Sequence, residues 1–535
     1  MCVDENAVHL DAIFEPITVA TPTQQLPFEY HETLPINVKS STRPGNVIRF
    51  KFPREGLMIP HSLSLFFTLT VDWAQAGGRR LFTTADIRNV FSRATLLLGR
   101  TTILEDIQQY GMMCRVTDMY QSETSRIIST EGYMSGNTLR FNALNLTDAG
   151  ALRSTFHNMS AVNSTRPGQV PRRYKTKVKL GMFEQNKPIP LMFMNEELIL
   201  EFTAADSAGA FAFSDSSAHN FGDAITSFQI GRPVLRYRVY YPPLQLKNQI
   251  FNRMEQDMYI LQWGAYQYQR FSVPINQRIH RFNIQCKYKR LKYALATLRC
   301  EDDILDIGQD STYIYASLDP RTDQSPASTA GKDQARKTLM KQYQWFYNNT
   351  AIPRLPIQVA GGEQAYTLLH DATGAGLNTF SVDTHYTSTG AEAYYYLRET
   401  LGLNDLQTGP VTGDVTFLCH DSFNNSGTLN SVTTKVSETL TTNAPRTAIT
   451  GFVMAGKFSD TIVLPDGSVE EMALDCQEPN ANLQLQIEFN AASGAGSPYS
   501  TSVTTSRYPS MYLDVWLRYD TMAQINHKGE VVINQ

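Results

Sequence analysis

The sequence is short of charge, of cysteine and of long apolar runs, and each shortage removes a class of function. Charged residues make up 18% of the chain, and 47 basic residues stand against 51 acidic ones, a formal charge of −4. A protein that wraps nucleic acid carries a basic excess or a basic tail, so direct genome binding is not expected. Six cysteines stand apart, at Cys2, Cys114, Cys286, Cys300, Cys419 and Cys476, with no CxxC spacing. That argues against a disulfide framework or a zinc knuckle and for a reducing compartment. No run of about 18 apolar residues is present, so no membrane-spanning helix is expected. Residues 1–10 lack the basic start and apolar run of a signal peptide. Without a secretory signal, the sequons at Asn145, Asn158, Asn163, Asn348 and Asn424 read as chance matches.

Catalytic motifs are missing too. Ten histidines are scattered, with no HExxH, HxH or Cys/His ligand cluster, no GxSxG elbow and no Walker-type loop. The most site-like cluster is Glu301-Asp302-Asp303 with Asp306 and Asp310. Hard oxygen ligands would suit calcium, and paired carboxylates a glycosidase. The run lacks the EF-hand glycine and terminal bidentate Glu, so a solvated loop is favoured, with Asp302, Asp303 and Asp306 kept as a cation candidate. No catalytic residue and no cofactor are expected. Lys175, Lys177 and Lys179 alternate with Thr176, Val178 and Leu180 behind Arg172-Arg173. A solvated strand face is favoured there over a surface for anionic lipid, nucleic acid or an acidic neighbour. Lys287, Lys289, Arg290 and Lys292 imitate a nuclear localisation signal but sit in a strand pattern with Tyr288, Leu291 and Tyr293.

What is present is length, aromatics and alternation. At 535 residues the chain exceeds a single core of roughly 250–300 residues, so at least two domains are expected. A hydrophobic share of 42% is that of a globular protein, and 26 Tyr with 27 Phe lean towards strands. Leu63, Leu65, Phe67, Leu69, Val71 and Trp73 share one face of a half-buried strand, with Phe66 the exception on the polar face. Ile103, Leu104, Ile107, Tyr110, Met113, Val116 and Met119 fall on one helical stripe. Further strands are read at 175–182, 197–203, 234–241, 279–284, 287–298 and 342–348, and short helices at 363–370 and 391–401. Pro465-Asp466-Gly467 marks a hairpin. The divisions are an N-terminal arm at 1–38, a first unit at 39–243 closed by Pro242-Pro243, a linker at 244–270, and a second unit at 271–535. Long loop insertions are expected at about 301–336, 370–391 and 408–447.

The two halves resemble each other. Leu200-Glu201-Phe202-Thr203-Ala204-Ala205 matches Ile487-Glu488-Phe489-Asn490-Ala491-Ala492, and Leu235-Arg236-Tyr237 matches Leu517-Arg518-Tyr519. Glu488 follows Glu201 by 287 positions and Arg518 follows Arg236 by 282, so two strands recur in order at nearly the same separation. A third, looser match sets Trp345 to Ile352 against Leu97 to Ile103. Duplicated β-sandwiches bury such alternating faces, and their edge strands call for insertions or oligomerisation as cover.

With these features the sequence resembles the double jelly-roll major capsid proteins of hexon-type, Polinton-like, virophage and large eukaryotic DNA viruses. The resemblance rests on Leu96 to Tyr120, with Gly99 at the turn and Tyr110-Gly111 in the helix. It rests also on Phe346-Tyr347-Asn348 through Ile352-Pro353 to Glu363-Gln364-Ala365-Tyr366, and on Tyr512 to Tyr519 with the tail Lys528-Gly529. It covers about residues 40–535 and looks closest to Polinton-like viruses or virophages. It implies an all-β chain of two tandem eight-stranded jelly rolls with short helices. It also implies a homotrimeric, pseudo-hexagonal capsomer tiling an icosahedral virion shell, assembled inside the host cell. Neighbouring capsomers, penton and minor capsid proteins would be its partners, and an internal membrane is left open. The competing readings are a carbohydrate-active or carbohydrate-binding β-sandwich, as enzyme or attachment fibre, and a non-virion scaffold of the same fold.

Overall fold

Alternating apolar residues fix two layers in each half of the chain. A computed structural model describes residues 28–38, 41–73, 80–83, 87–118, 172–206, 211–214, 225–273, 279–300, 340–358, 391–401, 453–463, 469–478, 481–489 and 511–534. The first half forms β1 (Phe28–Thr33), β2 (Ser41–Thr42), β3 (Val47–Lys51), β4 (Leu57–Trp73), β5 (Arg80–Thr83), β6 (Phe91–Leu98), β7 (Thr102–Gln108), β8 (Arg172–Lys177), β9 (Leu198–Ala204), β10 (Phe211–Ser214) and β11 (Ile225–Tyr240). Its helices are α1 (Tyr110–Asp118) and the single turn α2 (Gly181–Glu184), and α3 (Leu244–Gln256) follows β11. The second half forms β12 (Tyr259–Val273), β13 (Ile279–Ile284), β14 (Leu291–Cys300), β15 (Met340–Tyr347), β16 (Thr350–Gln358), α4 (Ala391–Thr400), β17 (Val453–Lys457), β18 (Ser459–Val463), β19 (Val469–Ala473), β20 (Leu483–Phe489), β21 (Met511–Ile525) and β22 (Val531–Asn534).

The first sandwich sets the sheet β1-β11-β4-β8 against β3-β9-β6-β7, and the second sets β12-β21-β14-β17 against β13-β20-β15-β16. All these pairings are antiparallel. Taken in chain order, β1, β3, β4, β6, β7, β8, β9 and β11 hold the same eight places as β12, β13, β14, β15, β16, β17, β20 and β21. Each half is an eight-stranded jelly roll, and the protein is a double jelly roll. Glu201 and Phe202 lie on β9, Glu488 and Phe489 on its counterpart β20; Arg236 and Tyr237 lie on β11, Arg518 and Tyr519 on its counterpart β21. Glu201 sits opposite Thr95 of β6, and Glu488 opposite Gln342 of β15, the equivalent strand. Phe50, Phe67, Phe91 and Phe202 cluster in the first core, and buried Trp345 donates its Nε1 proton to Ala455 O at 2.9 Å in the second.

Three expectations shift. Residues 28–33, expected within the arm, are β1, the edge partner of β11. Its inward groups are polar, with Thr33 Oγ1 meeting Tyr237 OH at 3.2 Å and His31 Nε2 meeting Tyr241 OH at 2.8 Å, so no apolar alternation announces it. The expected linker 244–270 is α3 followed by most of β12, the first strand of the second sandwich. Leu261, Trp263 and Ala265 of β12 face its core, while Tyr266, on the opposite face, is also buried, which hides the period of two. The helical stripe from Ile103 is a strand as far as Gln108, and only Tyr110–Asp118 is helical. A register shift between Leu96 and Leu97 pairs Leu96 with Glu105 but Leu97 with Ile103. The bulge leaves Leu104 and Ile107, three apart, both buried, a spacing that imitates a helix.

The sandwiches meet where their backbones touch. β7 and α2 of the first lie on β12 of the second. A Cβ on Gly181 would fall 1.9 Å from Gly264 O, and one on Gly264 would fall 2.2 Å from Arg518 Nε, so neither position admits a side chain. Above this contact, Glu105 accepts the Gly181 and Met182 amide protons at 3.0 and 3.4 Å. Burial, aided by Glu184, pushes its carboxyl up to about 7 against the Gly181 amide and the Arg518 guanidinium, which favour the charge. Arg518 lies over the Tyr266 ring at 4.6 Å, and Tyr266 OH meets Tyr293 OH at 2.7 Å. Farther along, fully buried Asp514 is held by Arg299 at 2.5 Å and Arg270 at 2.8 Å. Arg299 also reaches across to Gln109 Oε1 of the first sandwich at 3.3 Å. Burial opposes the Asp514 charge, but Arg299, Arg270 and Tyr268 hold its carboxyl below the ordinary value.

Two pH effects of opposite sign follow. Glu105 keeps its proton in the fold where the unfolded chain has lost it, so its contribution declines as pH rises from 4.5 to about 7; Glu105→Gln flattens the stability curve across that window in chemical denaturation. The Asp514 contribution is present above the unfolded carboxylate value of about 3.9 and is lost as pH falls through its lower native one. Asp514→Ala strands Arg299 and costs about 3–5 kcal/mol at pH 7. An unchanged denaturation midpoint at pH 7 contradicts this account of the joint.

Candidate functional site

The equivalence of the two sandwiches makes one surface conspicuous. The outer face of β12-β21-β14 carries Leu295, Thr297, Asp514 and Trp516, all buried. The matching face of the first sandwich, β1-β11-β4-β8, is exposed among the described residues. Tyr30 is 77% exposed and Phe28 43%. Arg236, the counterpart of Arg518, keeps 42% of its side chain accessible and pairs with Glu32 at 2.6 Å.

Register explains what this face carries. Phe66 pairs with Lys175 on one side and Val234 on the other, and Ser64 pairs with Lys177 and Arg236. The one aromatic on the polar side of β4 is therefore ringed by cations: Arg236 at 4.7 Å from the ring centroid, Arg173 at 5.8 Å and Lys175 at 6.0 Å. The basic strand read at 175–182 is β8, the edge of this sheet, but it ends at Lys177; Lys179 lies beyond it and donates to Thr117 Oγ1 at 2.7 Å, and Met182 is in α2. Outward Arg173, Lys175 and Lys177 join Arg236 and Arg238 on one surface. Glu32 is the acidic group paired into it. Such a face, aromatic and basic, suits a partner that supplies apolar and acidic groups.

A second exposed feature is β16, the counterpart of β7. It is an edge strand of its sheet, and its Leu355 is 75% exposed. In the hairpin β18–β19, Met472 is 57% exposed. Among the described residues, the counterpart of the covering strand β7 thus carries an exposed apolar side chain.

The ends of the sandwiches differ. Short connections join β3 to β4, β6 to β7, β13 to β14 and β15 to β16 at one end. Gly99 turns the second of these with φ +63°, and Asn348 and Asn349 the last with φ 47° and 64°. Tyr259 OH donates to Pro188 O at 2.8 Å and Asn195 N to Gly529 O at 3.0 Å, which brings these turn ends of the two sandwiches together. Cys300 and Met340, and Gln358 and Val453, bracket the long insertions at the opposite end.

The cation candidate Asp302, Asp303 and Asp306 lies outside the described residues, as do the insertions 301–336 and 408–447, the helical candidate 363–370 and all sequons but Asn348. Insertion 370–391 lies outside them except for Ala391, the first residue of α4. Among the described residues no group of three His, Cys, Asp or Glu could hold a metal ion, and no helix is long and apolar enough to cross a membrane. Arg290 and Lys292, read as part of a signal-like run, are bound to Asp520 at 3.2 and 3.1 Å and serve structure. The sequence did not disclose the face around Phe66, because its residues come from three separate strands; the single aromatic out of phase in β4 was its one local sign.

No family model and no curated protein matches the chain. Solved structures do. PBCV-1 VP54, fitted into a reconstruction of the virophage Sputnik, is 12% identical with a TM-score of 0.50, over 97% of this chain and 100% of that one. A chain of the PBCV-1 virus capsid gives the same values. A chain of the Sputnik virophage is 12% identical with a TM-score of 0.52, over 100% of this chain and 92% of that one. What the chain shares with these virus structures is the double jelly-roll fold.

Proposed function

We propose that the chain is the major capsid protein of a double-stranded DNA virus, and that three copies close a ring of six sandwiches. The observation that carries this reading is the inequality of two equivalent faces. Within the chain, the β7 edge and α2 of the first sandwich cover the β12-β21-β14 face of the second. Among the described residues the matching β1-β11-β4-β8 face is exposed, and so is Leu355 on the matching β16 edge. A contact between unlike surfaces either closes into a ring or propagates as a fibre. Repeating the intrachain contact between copies sets the exposed Leu355 of β16 of one copy on the aromatic part of the Phe66–Arg236 face of the next, with no acidic residue of β16 to meet its cations, and the proposed ring closes after three chains. Burial in the range of permanent interfaces, about 2,000 Å² or more, is expected.

The shared fold with a virus capsid and a virophage supports this role. The role is structural, and the ring a pseudo-hexagonal tile of an icosahedral shell, assembled inside the host cell. Neighbouring capsomers, penton and minor capsid proteins are its partners. The described residues that flank them lie at the end away from the tight turns, which makes the insertions at 301–336, 370–391 and 408–447 the candidates for the outward surface.

Solution mass with negative-stain imaging tests this: compact trimers with a hexagonal outline are expected. Tyr30→Glu and Leu355→Glu alter exposed positions on the two proposed partner surfaces. Each should leave the folded chain intact and raise the trimer dissociation constant about 100-fold, or 2.8 kcal/mol. A wild-type chain that stays monomeric at micromolar concentration, or variants that trimerise as wild type does, would overturn the ring. Presence in purified particles separates a shell subunit from a scaffold.

A further inference from the structure

Cys286 lies between β13 and β14, and Cys476 between β19 and β20, 190 positions apart (476 − 286). The fold lays these two segments side by side at the tight-turn end of the second sandwich. Cys476 N donates to Tyr288 O at 2.8 Å, and Leu291 and Leu474 exchange backbone hydrogen bonds at 2.9 and 3.2 Å. Both thiols are free and nearly enclosed, 7% and 1% exposed. The backbone bond from Cys476 to Tyr288, two residues past Cys286, sets the two thiols near each other, close enough that each shifts the other's pKa. That proximity draws Cys286 below its ordinary value against the effect of burial, and together with burial it pushes Cys476 up. A thiolate formed at either sulfur has its partner close by as the resolving thiol.

We infer that Cys286 and Cys476 form a reversible disulfide that locks the turn end of the second sandwich when the protein passes from a reducing to an oxidising medium. A shell leaving its host cell makes that passage, so the biological occasion rests on the capsid reading; the chemistry of the pair does not. The oxidant is a small-molecule disulfide such as oxidised glutathione. The Cys286 thiolate attacks one of its sulfurs, forms a mixed disulfide and expels one glutathione thiolate. Cys476 then loses its proton, attacks the Cys286 sulfur and expels the second. Two protein thiols give up two electrons and two protons, and one glutathione disulfide becomes two thiols.

The bond would close a covalent ring from Cys286 to Cys476, enclosing β14 to β19 and the three long insertions between them. Rings of that length remove the most freedom from the unfolded chain. The reduced form leaves the same strands free to assemble during folding, so locking after assembly carries no folding penalty.

The test oxidises the full-length protein with glutathione disulfide at pH 8, blocks remaining thiols by alkylation and maps the unreduced peptides by mass spectrometry. A single joined peptide containing Cys286 and Cys476, with Cys114 still alkylated, is expected, together with a rise in Tm of about 5 °C. Cys476→Ser should leave Cys286 as a glutathione adduct, and Cys286→Ser should abolish the joined peptide. If both thiols are alkylated, or each carries its own glutathione and no joined peptide forms, the inference fails. A chain that forms the bond but does not trimerise counts against the capsid reading alone, and one that trimerises without it counts against the disulfide alone.

Discussion

The contact of Gly181 with the backbone of Gly264 is the constraint around which the molecule is arranged. No Cβ fits at either residue, so β12 can lie against α2 and β7 closely enough to enclose a polar layer. Inside that layer are a carboxyl with a displaced pKa, a guanidinium stacked on a tyrosine, and an aspartate held by two arginines. Charges so deeply placed are tolerable only when each meets a partner. The paired charges, Asp514 with Arg299 and Arg270 above all, hold the joint in one arrangement, while Arg518 Nη1 is buried there with no hydrogen-bond partner.

Burial of one sandwich's outer face and exposure of the other's account for the difference between their equivalent positions. Arg236 and Arg518 hold the same place on equivalent strands, yet Arg518 serves a joint inside the chain while Arg236 lies on an exposed sheet beside Phe66. The core positions have changed less in character: inward apolar residues alternate along β9 and β20 alike. Selection on a core asks for volume and alternation. An outer face answers to whatever touches it, and in this chain the two outer faces touch different things.

Much of the architecture was legible in the sequence. The pairs Glu201-Phe202 with Glu488-Phe489, and Arg236-Tyr237 with Arg518-Tyr519, lie on equivalent strands because a half-buried strand prints its period directly into the residue order. β1 escaped because hydrogen bonds by His31 and Thr33 replace the apolar side of its pattern. β12 escaped because Tyr266 is buried beneath the other sandwich, so both faces read alike. β7 passed for a helix because a bulge set Leu104 and Ile107 three residues apart. The face around Phe66 was represented by one out-of-phase aromatic and one basic strand, with nothing in the order of residues to join them.

The sequence by itself determined the fold class, the doubling of the unit and the order of most strands, since those depend on local alternation and on recurrence along the chain. Which sheet is covered and which is bare was decided only in three dimensions. So was the meeting of Cys286 with Cys476, 190 positions apart (476 − 286). Burial between sandwiches, and contact between distant turns, arise from the packing of surfaces, and a surface is assembled from residues that the chain order keeps far apart.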